Sequence, residues 1–143
     1  MTEEEIIRRY GMAPHPEGGW YREFYRSPAM TAIRFLLPRG DFSAFHRLKS
    51  EEAWIHLAGA PLEMFLLGET PVRRLLSPAG GDGEPIVVVP AGVPQAARPT
   101  GGYTLSACLV APGFVFEDFS LPSREELLAE FPWESERIRS LTR

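Results

Sequence analysis

The sequence lacks the features that are typical of disulfide-bonded, nucleic-acid-binding and membrane proteins. It contains one cysteine, Cys108, so no disulfide can form within the chain, and a cytoplasmic location is expected. The formal net charge is −4, and the basic residues form no stripe that would bind nucleic acid. No apolar run is long enough to span a membrane, and residues 3–5 are all glutamate, which is the wrong charge for a secretory signal. We therefore expect a soluble protein with no nucleic-acid or membrane partner.

Short strand-like segments separated by glycine and proline fill the middle of the chain. With 143 residues, of which 44% are hydrophobic, the sequence suits one domain, residues 1–143, with a buried core. Strand and turn signals this close together are typical of a β-sandwich or barrel and leave no room for helical crossovers. The predicted strands are residues 31–37, 42–48, 52–58, 62–67, 72–76, 86–89, 94–98, 103–110 and 114–119.

Both ends of the chain are predicted to form short helices. Thr2 and Glu5 have the spacing of a capping box, in which two side chains satisfy the first amides of a helix. Ser123 and Glu126 repeat that spacing near the C-terminus, and Pro132 ends the helix that they begin. A further short turn of helix is expected after Pro132.

The most specific pattern lies between Gly40 and Gly59. Five residues separate Gly40 from His46, one separates His46 from Leu48, three separate Leu48 from Glu52, and six separate Glu52 from Gly59. A second pattern, Pro-Ala-Gly-Val-Pro-Gln, follows at residues 90–95. A loop rich in glycine and proline lies between the two segments.

These two segments resemble the two sequence motifs of the cupin superfamily. The first motif has a glycine, two alternating histidines, a glutamate and a closing glycine, and Leu48 stands where the second histidine would be. The second motif has the form Pro-x-Gly-x-x-His, and Gln95 takes the place of its histidine. The resemblance implies an all-β cupin fold, a double-stranded β-helix or jelly-roll barrel, with short N- and C-terminal helices.

A closer likeness is to the cupin-5 type subfamily of RmlC-like barrels, much of which is uncharacterised. Its members carry segments similar to residues 15–23, 42–54, 88–92 and 110–114 of this chain. The similarity extends from about residue 12 to residue 132. Strand exchange between two copies is common in this fold, so the resemblance also implies a homodimer.

Strand alternation argues for a shared site independently of the family. Alternate side chains on a strand share a face, so His46 points with Leu48, and Glu52 points with Trp54 and His56. If these faces line the barrel interior, His46 and Glu52 converge in an apolar cavity that holds one small ligand. Such a pair can serve as a general base and its orienting group near neutral pH. His46 and Glu52 are therefore the candidate catalytic residues.

Further side chains are candidate ligand contacts. Tyrosines could supply an acid, and arginines could bind an anionic substrate group as a fork. His15 and Glu17 lie in a segment rich in proline and glycine that could close over the barrel mouth. The candidate ligand-binding residues are Tyr21, Arg22, Glu23, Arg34, Trp54, His56 and Gln95, and Tyr25 and Tyr103 are further candidate acids.

The candidate ligands in the sequence neither require nor exclude a metal cofactor. His46 offers an imidazole, Glu52 a carboxylate and Gln95 a weak neutral carbonyl, whereas Leu48 offers no donor. This set is poorer than the three protein ligands of a catalytic zinc site, unless His56 turns inward. The cofactor is therefore unknown, and His46, Glu52 and Gln95 are the candidate metal ligands.

Three functional hypotheses follow, and each involves a small-molecule ligand in the barrel. The first is an isomerase or epimerase that acts on a sugar or other polar metabolite through proton transfer at His46, with Glu52 assisting. Epimerases that share the cupin fold make this the expected class of reaction. The second is a non-catalytic ligand-binding protein. The third is a metal-dependent enzyme that uses His46, Glu52 and Gln95.

Overall fold

The computed structural model describes residues 1–143 and consists mainly of β-strands. All the strand pairs are antiparallel, as expected for strands joined by short turns. The strands are β1 (Ala13–Pro14), β2 (Trp20–Arg26), β3 (Thr31–Leu37), β4 (Ser43–Leu48), β5 (Glu51–Gly59), β6 (Leu62–Leu66), β7 (Arg73–Leu76), β8 (Ile86–Val89), β9 (Gln95–Pro99), β10 (Thr104–Ala111) and β11 (Phe119–Ser120).

The strands form two sheets that face each other. One sheet has the order β1-β2-β3-β10-β5-β8 and the other has the order β11-β4-β9-β6-β7. Buried side chains from both sheets form the core between them, among them Phe35 and Trp54 from the first sheet and Met64 and Leu66 from the second. This arrangement confirms the all-β jelly roll expected from the two motifs.

Three short helices close the ends of the barrel, as predicted. The Thr2 hydroxyl accepts the backbone N–H of Glu5, and the Glu5 carboxylate accepts the backbone N–H of Thr2, which confirms the capping box. Ile6 packs into one end of the core, and Leu127 and Ile138 pack together at another part of it. No helix is both long and apolar enough to cross a membrane. The helices are α1 (Glu3–Tyr10), α2 (Arg124–Glu130) and α3 (Ser135–Ser140).

Strand β2 carries a bulge that changes which side chains face inward. Its pairing with β3 skips one residue between Glu23 and Tyr25, so Phe24 is the extra residue. Before the bulge Tyr21 and Glu23 face the barrel interior, and after it Arg26 does. A regular strand would have turned Tyr25 inward instead, but Tyr25 is half-exposed on the outside.

The prediction of a strand at residues 114–119 is wrong. Only Phe119 and Ser120 pair with β4, and a 3-10 turn, Phe116–Asp118, precedes them. A continuous strand would place Phe116 and Phe119 on opposite faces, whereas the turn brings both rings to the same cavity. Strand β2 was not predicted from the sequence.

Candidate functional site

A cavity of about 180 Å³ opens between the six-stranded sheet and strands β4 and β11. Its lining is mixed: apolar side chains from several strands surround a small group of titratable residues. The titratable group consists of His15, Glu17, His46 and Glu52. The cavity is therefore the one place where the predicted His46 and Glu52 meet, together with two residues of the 15–19 turn.

His46 is held in one tautomer by the backbone of its own strand. Its ring is almost fully buried, and Nδ1 lies 2.8 Å from the carbonyl oxygen of Ala44. Because a carbonyl can only accept a hydrogen bond, Nδ1 carries the hydrogen and Nε2 of the neutral ring has a free lone pair. Nε2 lies 3.5 Å from Glu17 Oε2, and the ring of Phe119 stacks on the imidazole at a centroid distance of 5.5 Å.

Glu17 enters the cavity from a tight turn. The backbone N–H of His15 donates to Gly19 and that of Gly18 donates to His15, both at 3.0 Å. Gly18 has a φ of 114°, and a Cβ there would overlap the carbonyl oxygen of Phe42, so only glycine fits. This turn positions the Glu17 side chain against β4.

The Glu17 carboxyl has one hydrogen-bond donor and two imidazole nitrogens as neighbours. The Ser43 hydroxyl donates to Oε2, and His15 Nδ1 lies 3.3 Å from Oε1. The backbone N–H of Glu17 donates to the same His15 Nδ1, so that nitrogen is an acceptor. The carboxyl thus faces acceptor nitrogens of both His15 and His46, a surrounding that suits a carboxylic acid with a proton to donate.

Glu52 is oriented by a short chain of hydrogen bonds behind the cavity. The indole N–H of Trp54 donates to Gln95 Oε1 at 2.9 Å, and Gln95 Nε2 donates to Glu52 Oε1 at 2.9 Å. All three residues are buried. The amide of Gln95 therefore fixes the carboxylate and has its own oxygen occupied by Trp54.

Burial shifts the pKa of both carboxyls upward. It raises the pKa of Glu17 from 4.5 to about 8, against the hydrogen bond from Ser43 and the nearby charge of Arg143. It raises the pKa of Glu52 from 4.5 to about 7, with the charge of His46 opposing the rise and that of Glu17 adding to it. At neutral pH Glu17 therefore carries its proton, while Glu52 is poised between its two forms.

Burial acts in the opposite direction on the two imidazoles. Burial, with the charge of His46 as the smaller second cause, lowers the pKa of His15 from 6.5 to about 3. It also lowers the pKa of His46, although the charge of Glu52 and the hydrogen bond to Ala44 oppose this. Both rings are therefore neutral at pH 7, and Nε2 of His46 is available as a base.

The sequence and the fold both match known proteins. The family model described as Cupin superfamily (DUF985) matches residues 4–122. The chain belongs to the cupin superfamily. Among solved structures, a protein from Shewanella oneidensis is 34% identical, with a TM-score of 0.93, over 100% of this chain and 98% of that chain. A hypothetical protein from Leishmania major is 29% identical, with a TM-score of 0.91, over 99% of each chain.

This cupin also shares its fold with enzymes. Oxalate decarboxylase from Bacillus subtilis is 17% identical, with a TM-score of 0.61, over 90% of this chain and 36% of that chain. At that identity the likeness is one of fold alone. No curated protein matches the chain.

The donor atoms of this cupin do not fit the metal site that its two motifs outline. Leu48 lines the cavity where the first motif has its second histidine, and the Gln95 oxygen accepts from Trp54. No group of three or more His, Cys, Asp or Glu side chains is arranged to hold a metal ion.

The structure divides the predicted ligand contacts into three sets. Tyr21 and Glu23 line the cavity, and the Tyr21 ring meets the His15 ring edge-on at 4.6 Å. Trp54 and Gln95 lie behind the cavity wall and act through Glu52. The remaining candidates, Arg22, Arg34 and His56, lie outside the cavity, and so do Tyr25 and Tyr103.

The outlying candidates have clear reasons for their positions. Ile33 faces inward, so strand alternation turns the next residue, Arg34, outward. The Arg34 guanidinium there lies 4.7 Å from the ring centroids of Tyr10 and Phe24. Arg22 pairs with Arg34 across the sheet and is outward for the same reason. The His56 ring contacts the carbonyl oxygens of Gly59 and Ala60 at 3.1 and 3.2 Å.

Sequence reasoning missed part of the lining. Arg26 reaches the cavity because of the β2 bulge, and Thr31 and Ile33 follow from alternation on β3. Phe114, Phe116 and Phe119 were assigned to a strand, and their close spacing was the available signal for an aromatic wall. Cys108 lines the cavity as a buried thiol, and burial raises its pKa well above the ordinary value.

Proposed function

We propose that this cupin binds a small polar metabolite in its cavity and catalyses proton transfer on it, with His46 as the general base. The observation that carries the proposal is the bond from His46 Nδ1 to Ala44, which leaves the Nε2 lone pair free at 3.5 Å from the Glu17 carboxyl. A base and an acid of displaced pKa at one end of a cavity are the arrangement that isomerase chemistry requires.

The proposed steps balance within the site. Nε2 of His46 takes the proton from a hydroxyl-bearing carbon next to a carbonyl of the substrate. The electrons of the broken C–H bond form a carbon–carbon double bond, and the carbonyl π pair moves to its oxygen. Glu17 gives its proton to that oxygen, which forms a neutral enediol. The imidazolium then returns its proton to the former carbonyl carbon, while the Glu17 carboxylate takes the proton of the other hydroxyl, whose oxygen becomes the new carbonyl. The isomer is formed, and His46 and Glu17, 3.5 Å apart, are back in their starting states.

Glu52 has a supporting part in this proposal. Its carboxylate, oriented by Gln95, stabilises the imidazolium that forms when Nε2 takes up the proton. Removal of the Gln95 amide would leave Glu52 in place but free to rotate. Glu52 is thus proposed to set the basicity of His46, in agreement with the role expected from the sequence.

Hydrogen exchange tests this function across a range of substrates at once. The wild-type protein is incubated in D₂O with a panel of aldoses, ketoses and amino sugars, and loss of the signal of the proton next to the carbonyl is followed by ¹H NMR. We expect exchange of that proton in at least one member of the panel. His46→Gln should slow that exchange by at least about a hundredfold, because a positioned general base contributes about 10²–10⁴ in rate. Binding, followed by chemical-shift changes, should weaken by only a few-fold.

A matched control comes from the histidine outside the cavity. His56→Gln makes the same substitution away from the site and should leave the exchange rate unchanged. Equal exchange by wild type and His46→Gln would remove His46 as the base. Binding of panel members with no exchange by the wild type would instead identify a non-catalytic binding protein.

A further inference from the structure

The charges that line the cavity are unbalanced. Three carboxyl side chains line it, those of Glu17, Glu23 and Glu52, against a single arginine, Arg26. Arg26 is already paired with Glu23, because its Nε and Nη2 donate to the two carboxylate oxygens of Glu23 at 2.9 and 2.7 Å. Because Glu17 carries its proton at neutral pH, Glu52 is the carboxyl for which no cationic side chain is left inside the cavity.

The arginine nearest to Glu17 is also engaged elsewhere. Arg143 Nη1 donates to the backbone carbonyl of Glu17 at 2.7 Å, and its Nη2 donates to Asp41 and to the Phe42 carbonyl. It does not line the cavity. Glu52 accepts from the neutral amide of Gln95, and its carboxyl also lines the cavity.

Aromatic rings line the same cavity. Phe114, Phe116 and Phe119 pack against one another with ring centroids 4.9 to 6.2 Å apart, and Tyr21 adds a fourth ring. An aromatic face is electrostatically negative and attracts a cation within about 6 Å, most strongly when the cation is poorly hydrated. Phe116 is 52% exposed, so its face is open to an entering ligand.

The size of the cavity limits the ligand. Its volume of about 180 Å³ lies below the roughly 300–1,000 Å³ of pockets for drug-sized ligands. A nucleotide or a disaccharide would not fit in this volume. A molecule with a compact charged end and a short polar tail would fit in the cavity.

We propose that the ligand of this cavity is a small organic cation with an alkylated ammonium group, held between the phenylalanine rings and the carboxylate of Glu52. The proposal rests on the proposed function, because it names the class of molecule presented to His46. A cation balances the charge of Glu52, and its alkyl groups pack against the phenylalanine rings. An anionic substrate, in contrast, would meet the uncompensated carboxylate of Glu52.

Three probes of equal shape and different charge test this class. Choline is the cation, 3,3-dimethylbutan-1-ol is its neutral isostere, and 3,3-dimethylbutanoate is the anion. Dissociation constants are measured by ¹⁵N-resolved NMR titration of the intact protein, so that the shifted residues also identify the site. We expect choline to bind at least tenfold more tightly than the neutral alcohol, and the anion to bind most weakly.

Two variants separate the charge contribution from the aromatic contribution. Glu52→Gln should reduce the preference of choline over the neutral alcohol by about tenfold. Phe116→Leu keeps an apolar side chain but removes the ring face, and should weaken choline binding about three- to fivefold while leaving the alcohol unchanged. Phe24→Leu is the matched control, since Phe24 is 48% exposed outside the cavity.

The outcomes are distinct. Equal or tighter binding of the alcohol or the anion would overturn the cation proposal, as would an absence of choline-induced shifts at cavity residues. A preference for choline that survives both Glu52→Gln and Phe116→Leu would overturn it as well. These failures leave the proton-transfer proposal standing, because hydrogen exchange with His46→Gln tests that proposal on the neutral sugars and amino sugars of its own panel.

Discussion

At the scale of single residues, Glu17 contributes most to the character of the cavity. It is only 6% exposed, and its carboxyl lies between acceptor nitrogens of His15 and His46. Sequence spacing pointed to Glu52 as the partner of His46 and treated Glu17 as part of a covering loop. The reason is physical: Glu17 belongs to a turn, and only the packing of that turn against β4 brings it to the imidazole.

Stability against pH tests the buried state of Glu17. Its pKa is raised in the folded protein from 4.5 to about 8, so the folded state binds more protons than the unfolded state between these values. The free energy of unfolding should therefore fall as pH rises through this window, by up to about 1.4 kcal/mol per pH unit from this group. Glu17→Gln should reduce that slope in urea unfolding measured from pH 5 to 9 and leave the part that comes from Glu52, whose pKa is raised to about 7.

An exposed carboxyl on strand β5 provides the comparison. Glu51→Gln changes the same functional group outside the core. Its free energy of unfolding should fall with pH at the same slope as that of the wild type. If Glu17→Gln and wild type lose stability in parallel as pH rises, Glu17 is ionised in the folded protein at neutral pH. That result would also remove the proton donor from the proposed mechanism.

At the scale of elements, the turn at residues 15–19 and the bulge in β2 place three polar residues of the lining, His15, Glu17 and Arg26. The bulge at Phe24 exchanges the inward and outward faces of β2, so Arg26 rather than Tyr25 reaches the cavity. Alternation correctly predicts the face of His46, Glu52 and Trp54, because their side chains follow the regular period of two along β4 and β5. It fails at β2, because a bulge is set by pairing with a neighbouring strand and leaves no reliable sequence signal.

The turn at residues 15–19 requires glycine at position 18, and this requirement can be tested. Gly18 and Gly40 both have positive φ, 114° and 81°, but only at Gly18 would a Cβ overlap a backbone carbonyl, that of Phe42. Gly40→Ala should lower the free energy of unfolding by roughly 1–2 kcal/mol, the ordinary cost of this backbone region. Gly18→Ala should cost clearly more in denaturant unfolding and should also displace Glu17. Equal losses would mean that the turn can move away from β4.

At the scale of the whole molecule, the homodimer implied by the cupin resemblance stays a prediction. Edge strand β8 exposes Ile86 and Val88, and the adjacent Leu57 is also half-exposed. We expect light scattering to give twice the chain mass of 16.0 kDa, and Val88→Lys to shift the protein toward monomer. Val115→Lys, which changes an exposed valine outside β8, is the control. A monomeric wild type, or an equal effect of both changes, would contradict a β8 interface.

The amino-acid sequence is enough to predict the class of fold and that His46 and Glu52 face one cavity. Short strands bounded by glycine and proline are typical of a sandwich or barrel, and the spacing from Gly40 to Gly59 places His46 and Glu52 on inward faces. The other lining residues depend on the folded structure. Glu17, Arg26 and the phenylalanines of residues 114–119 reach the cavity through a turn, a bulge and a 3-10 turn, whose geometry depends on contacts between segments far apart in the chain.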